Sequence, residues 1–289
     1  YNIGDVDDES LKKLNNLNLQ INNFILRRRK SDVAKDLPDK IYNNIYVDFG
    51  AEQKKLYMAQ VQKTKEEMQE MMATEGFTKA RFKILQLLTK LREICIDPSM
   101  VFDNYKGDRV KIDELIRLVL ETKANGHKML VFTSYKTALD IVLKEFEKNG
   151  IMTYSIDGST PSKKRMELVE KFNNDNTDVF IITLKAGGTG LNLTSANVVI
   201  HLDLWWNPQV ENQATDRAHR IGQKETVSVI RLIVNGTIEE RILELQEKKR
   251  KLADVLIEGD TRSLNNLSNL SEEDIQMLLS MDNDEGVKK

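Results

Sequence analysis

The sequence predicts an α/β protein: a parallel sheet flanked by helices, with a helical insertion ahead of most of the sheet and further helices at the C-terminal end. Two observations carry this. From about residue 109 onward, short apolar runs alternate with amphipathic helical patterns, as in a parallel sheet covered on both faces. Between Ala51 and Met100 the apolar spacing is instead helical twice over. At 289 residues and 40% hydrophobic content, the chain can bury one sizeable core and a smaller satellite.

Residues 1–23 are rich in Asn and Asp, and Leu11, Leu14, Leu17 and Ile21 recur at helical spacing, which predicts a short amphipathic tail. Residues 24–50 read as a linker and a first strand: the basic cluster Arg27-Arg28-Arg29-Lys30 comes first, then Leu37-Pro38-Asp39 and a strand from Ile41 to Val47. Proline restricts the residue before it, so no helix runs through that break. Residues 51–108 form the helical insertion, with Phe82, Leu85, Leu88, Leu91 and Cys95 as the buried stripe of its second helix and Asp97-Pro98 as its end.

Residues 109–246 carry the main sheet. A helix with Ile112, Leu115, Ile116, Val119 and Leu120 on one face leads to a strand, Lys128 to Thr133, and a helix with Leu139, Val142, Leu143 and Phe146 leads to another, Thr153 to Asp157. Thr160-Pro161 supplies an N-cap and a first-turn proline for the next helix. Strands Asp178 to Thr183, Asn197 to Leu202 and Val227 to Val234 complete the set, and Thr237 with Glu240 has the spacing of a capping box. Residues 247–289 hold C-terminal helices, the last opened by Ser271-Glu272-Glu273-Asp274, and an acidic tail.

The 43 Lys+Arg against 45 Asp+Glu leave a formal net charge of −2, so affinity for an anionic polymer has to come from local patches. Cys95 is the only cysteine, which excludes an internal disulfide and a multi-cysteine zinc site and fits a reducing compartment, cytoplasm or nucleus. No apolar run approaches a membrane span, the N-terminus lacks the order of a signal peptide, and no metal site is expected.

Three segments carry chemistry. Thr183-Leu-Lys-Ala-Gly-Gly-Thr-Gly-Leu-Asn192 follows a buried strand, and its glycines let backbone amides approach phosphate oxygens; a tight strand-to-helix turn is the alternative. In Gln213-Ala-Thr-Asp-Arg-Ala-His-Arg-Ile-Gly-Gln223, a helix would place Gln213, Arg217 and Arg220 on one face beside an apolar face of Val210, Ala214, Ala218 and Ile221. Paired arginines suit phosphate because each is a permanent cation with a planar donor fork. Their alternative is surface pairing with Asp216 or Glu211, and His219 reads as a packing residue. Leu202-Asp-Leu-Trp-Trp-Asn-Pro208 puts both tryptophans side by side after a strand, one for the core and one pointing away.

In this order the segments resemble the second RecA-like lobe of the Swi/Snf-type ATP-dependent chromatin-remodelling ATPases, double-stranded-DNA translocases of helicase superfamily two. The resemblance runs from about Phe24 to Glu258. Leu130-Val-Phe-Thr-Ser-Tyr135 is similar to the family's fourth motif, Thr183 to Asn192 with Asp203 to Pro208 to its fifth, and Gln213 to Gln223 to its sixth. Leu91-Arg-Glu-Ile-Cys95, Asp157-Gly-Ser-Thr160 and Glu239-Glu-Arg241 also stand where the family has them. Three positions depart from the pattern: no histidine precedes Pro98, Arg109-Val-Lys111 replaces Ser-x-Lys, and Lys185 stands where arginine is common.

The resemblance implies ATP with Mg²⁺ in a cleft between two lobes. The G-x-x-x-x-G-K-[ST] loop and the D-E-x-H box that hold them are not found in this sequence and belong to the first RecA-like lobe of the same polypeptide. By the same carry-over Arg217 and Arg220 are arginine fingers, and Gly188, Gly190 and Gln213 line the nucleotide wall. Thr133, Ser134, Thr183 and Lys185 hold DNA phosphates, and Trp206 wedges into the minor groove. The implied partners are double-stranded DNA and a nucleosome or an RNA polymerase. A non-hydrolysing DNA- or partner-binding module is the rival reading, and the chain by itself is expected to be inactive.

Overall fold

The computed structural model describes residues 37–186, 190–255 and 271–279. The expected N-terminal helix, the Arg27–Lys30 cluster and Gly188 lie outside the described residues. The chain runs β1 (Lys40–Val47), α1 (Ala51–Glu75), α2 (Phe77–Ile96), α3 (Val110–Ala124), β2 (Met129–Thr133), α4 (Lys136–Lys148) and β3 (Thr153–Ile156). It continues through α5 (Ser162–Asn174), β4 (Val179–Thr183), β5 (Val198–His201), α6 (Pro208–Thr215), β6 (Val227–Val234), α7 (Ile238–Val255) and α8 (Glu272–Leu279).

The six strands form one sheet in the order β1-β6-β5-β2-β4-β3, every pair parallel. β2 and β4 are buried along their whole length, which is why they read as unbroken apolar runs. One sheet face packs Val131, Ile181 and Ile200 against α3 and α4 through Leu115, Val119, Val142 and Phe146. The other packs Phe132, Phe180 and Val199 against Phe172 of α5 and the segment from Leu184 to Ala196. A satellite core joins α1, α2, α7 and α8, with Tyr57, Ile84, Leu88, Ile242 and Leu278 at its centre.

Buried polar contacts tie α3 and the insertion to α7, the helix that follows β6. Lys111 of α3 meets Glu239 of α7 at 2.6 Å with both side chains enclosed, and Glu239 also accepts the Val234 amide. Gln53 of α1 donates to the Ile94 carbonyl and accepts from the Val110 amide, and the Tyr57 hydroxyl accepts from the Ile238 amide at the head of α7. Arg109 pairs with Glu145 at 3.1 Å, so the Arg109-Val-Lys111 departure sits in ion pairs rather than at a surface.

Several local readings are corrected. Phe82 is 70% exposed, because it stands two residues and hence about 200° around the helix from Ile84, which is on the true stripe with Leu88, Leu91 and Cys95. Leu120 is likewise exposed. The Thr160 hydroxyl accepts the Asp157 amide instead of capping α5, whose N-cap is Pro161. At α7 the capping box is displaced by one residue: Thr237 accepts the Glu239 amide while the Glu240 carboxylate accepts that of Gly236. At α8, which opens at Ser271 as expected, a reciprocal box joins Ser271 and Asp274 at 3.0 Å in both directions.

His201, fully buried at the end of β5, stacks on Phe132 and bonds Thr215 through Nε2. Burial, followed by the positive charge of Arg231, pushes its pKa from 6.5 down to about 3. The unfolded chain then takes up a proton that the folded chain refuses, so this stability is complete above the unfolded pKa and is lost as pH falls toward 3. Between pH 7.5 and 5.0 the wild type is expected to lose about 2 kcal/mol more than His201→Gln, as urea unfolding at the two pH values would measure. Equal losses would show that His201 does not set acid sensitivity.

Candidate functional site

Side chains singled out from the sequence gather at two places. The first is the turn after α6. That helix starts cleanly, with Asn207 accepting the Gln209 amide and Pro208 in the first turn, but it stops at Thr215. The expectation of one helix through Arg220 is therefore corrected. The Arg217 carbonyl, which a continuing helix would offer to residue 221, accepts the Leu193 amide instead. The Gln223 side chain holds the Ala196 and Ala218 carbonyls, His219 Nε2 sits 2.6 Å from the Pro38 carbonyl, and Gly222 takes φ 106°. These tertiary bonds draw the backbone off the helical path.

The turn brings Arg217, Arg220 and Gly190 together: Arg220 Nη1 donates to the Gly190 carbonyl at 3.2 Å. Arg217 is half-buried, its Nε makes no hydrogen bond among the described residues, and burial with the like charge of Arg220 pushes its pKa down. Of the carboxylates that were candidate surface partners, Asp216 pairs with Lys40 at 3.4 Å while its charge also acts on Arg217, and Glu211 pairs with Arg231 at 3.0 Å. Among the described residues neither arginine makes an ion pair. Gln213 lies one turn earlier on α6, exposed. Ile221 is 81% exposed rather than part of an apolar face, again because the helix has ended.

The second place is the C-terminal edge of the sheet, where ligands gather in open α/β folds. Thr133 and Thr183 end the paired strands β2 and β4 and lie opposite each other in register. Asp203, just after β5, is fully buried and gathers the Thr133 hydroxyl at 2.9 Å, the Ser134 amide at 2.8 Å, the Ser134 hydroxyl, and Arg92 Nη2 at 2.9 Å. Arg92 arrives from α2 and also donates to the Leu204 carbonyl at 2.6 Å. Its guanidinium sits 5.3, 5.6 and 5.0 Å from the rings of Tyr135, Trp205 and Trp206.

Two of the residues expected at DNA are enclosed in the lobe. Trp206 is the buried tryptophan, 3% exposed and packed in the satellite core, while Trp205 is only half-buried. The alternation argument divided the pair correctly without saying which was which, and the choice of Trp206 as the outward one came from the resemblance; the chain leaves β5 in bends rather than as continuing strand. Thr133 is enclosed as well, its hydroxyl committed to Asp203. Thr183 is nearly enclosed, with no hydrogen-bond partner for Oγ1 among the described residues; Ser134 is half-exposed and Lys185 exposed.

Sequence reasoning missed the parts played by Arg92, Asp203 and Arg165. The first two stood inside quoted motifs without roles, since a contact across 111 positions has no local signature. Arg165 of α5 donates to the Thr160, Asp157, Gly158 and Ala186 carbonyls, tying the loops after β3 and β4 together.

Family models match in two blocks: a helicase conserved C-terminal domain over residues 110–222 and an SNF2-related domain over residues 3–100. An uncharacterised ATP-dependent helicase of Mycoplasma pneumoniae is 41% identical over 250 residues, covering 85% of this chain and 23% of that protein. The putative ATP-dependent helicase/translocase YwqA of Bacillus subtilis is 37% identical over 282 residues, covering 95% and 30%. The Sulfolobus solfataricus SWI2/SNF2 ATPase core in complex with double-stranded DNA superposes with a TM-score of 0.68 at 32% identity, covering 96% of this chain and 57% of that one. The chain thus spans between 23% and 30% of these two curated relatives. Among the described residues no helix is long and apolar enough to cross a membrane. With matching motifs, family models and a parallel α/β sheet in agreement, the chain belongs to the Swi/Snf family of ATP-dependent helicases and carries that family's RecA-like C-terminal helicase domain.

Proposed function

We propose that the chain is the second motor lobe of an ATP-dependent double-stranded-DNA translocase. The observation that carries the reading is the turn after α6, which holds Arg217 and Arg220 side by side with no carboxylate paired to either among the described residues. Two like charges held adjacent, with no ion pair to either among the described residues, favour an anion at the site, and a nucleotide triphosphate bound by the first lobe is that anion. Arg217 and Arg220 then stabilise the charge that develops on the transferred phosphoryl group. Gly190 and Gln213 line the same wall.

Ser134, Lys185 and the end of β4 at Thr183 form the DNA face, contacting phosphates and giving no sequence preference. Lys185 keeps the charge of the family's arginine but lacks its fork, so it grips as a point charge. Closure and opening of the cleft move the duplex past this face without separating its strands. ATP and Mg²⁺ are held mainly by the first lobe, and the displaced protein is a nucleosome or a polymerase bound to the duplex. The test is turnover by the chain alone: DNA-stimulated ATP hydrolysis is expected to stay at background and to appear only in the full-length protein. Robust turnover by the purified chain would overturn the split-site reading.

A further inference from the structure

We propose that Arg92, on the second helix of the insertion, is a positioning residue for the DNA face, acting through Asp203 on the hydroxyl of Ser134. The inference rests on the DNA face assigned above. The Asp203 carboxylate accepts four hydrogen bonds, two of them from Ser134 of that face: Oδ1 takes the Thr133 hydroxyl and the Ser134 amide, Oδ2 takes Arg92 and the Ser134 hydroxyl. Both donors of Ser134 are therefore occupied by Asp203. A serine hydroxyl has one proton, so Ser134 cannot donate to a phosphate while it donates to Oδ2.

Of the groups around Asp203, only this hydroxyl is placed to change partner. Thr133, Arg92 and Asp203 are buried, whereas Ser134 is half-exposed at the strand end. The Arg92 guanidinium is held among three aromatic rings and on the Leu204 carbonyl. The Ser134 hydroxyl moves by one χ1 rotation. When it turns outward, Oδ2 loses a donor in a fully enclosed site, a costly change for a carboxylate with no other partner. Arg92, at 2.9 Å from the same oxygen, supplies the compensating charge and hydrogen bond. It also donates to Ser134 Oγ at 3.4 Å, so it touches both partners of the exchange. Arg92 thus lets Ser134 pass its proton donor from Asp203 to a DNA phosphate, and it links the seating of the insertion to the grip on the duplex.

The experiment is a double-mutant cycle in the full-length protein, reading the DNA concentration for half-maximal ATPase stimulation, maximal turnover and melting temperature. Arg92→Met and Ser134→Ala are each expected to raise the half-maximal DNA concentration on the order of tenfold, the loss of one hydrogen bond to a charged group. Because both act on one donor, the double variant should bind DNA no worse than the weaker single. Arg92→Lys keeps the charge beside Asp203 without the fork; it repeats the cycle if Arg92→Met does not fold, and it should fall between wild type and Met. Additive losses, or a folded Arg92 variant with wild-type DNA dependence, would overturn the inference and leave Arg92 as a fold-stabilising ion pair. Lys185→Ala separates the two layers. If it weakens DNA stimulation while the Arg92 variants do not, only the Arg92 inference fails; if neither Lys185→Ala nor Ser134→Ala has an effect, the DNA face itself is misassigned.

Discussion

Arg220→Ala in the full-length protein is expected to lower ATP turnover about a thousandfold or more, the usual worth of an arginine finger, while ATP binding stays nearly intact. The expectation follows from where the guanidinium is and what it does in the lobe. Arg220 is exposed, and its one side-chain hydrogen bond among the described residues is to the Gly190 carbonyl, so truncation removes little stability. Its neighbour Arg217 is half-buried with Nε unpaired among the described residues, so Arg217→Ala should lower turnover similarly, with a modest loss of stability added. Nucleotide affinity by equilibrium binding and turnover by phosphate release separate the two effects. A loss of only a few-fold in both variants would return these residues to the role of surface charges.

The second large effect belongs to Trp206. An exposed wedge would leave hydrolysis running while movement along DNA stopped. The buried side chain forecasts something different: Trp206→Ala opens a cavity beside Arg92 in the satellite core and is expected to cost about 3–5 kcal/mol, lowering melting temperature, DNA-stimulated hydrolysis and triplex displacement together. Trp205→Ala is the matched control. Half-buried, Trp205 also presses on the Arg92 guanidinium, and its backbone is pinned by Glu211 and Gln246, so its truncation should cost less. A stable Trp206→Ala protein that hydrolyses ATP normally and fails to displace triplex would restore the wedge.

Much of the fold was legible because its signals are local and repetitive. Fully buried parallel strands read as apolar runs, and β2, β4 and β6 lie within one residue of their expected bounds. Helix boundaries were legible where chemistry forces them, as in the end before Asp97-Pro98 and the start at Ser271. The same local reasoning failed wherever a distant group competes for a backbone atom. Helical periodicity in Gln213 to Gln223 is real, yet the Leu193 amide takes the Arg217 carbonyl and ends the helix. Periodicity likewise could not choose between Phe82 and Ile84, since both fit a helical stripe until the satellite core picks a face.

By itself, the sequence determined the order of strands and helices, the family, and which residue types are available for phosphate, because each of these is written in neighbouring positions. Only the tertiary structure decided which tryptophan is enclosed, that Arg217 and Arg220 project from a turn, and that Arg92 and Asp203 meet across 111 positions. Those outcomes depend on long-range partners contending for the same donors, acceptors and space, and no window of sequence contains both sides of that contest.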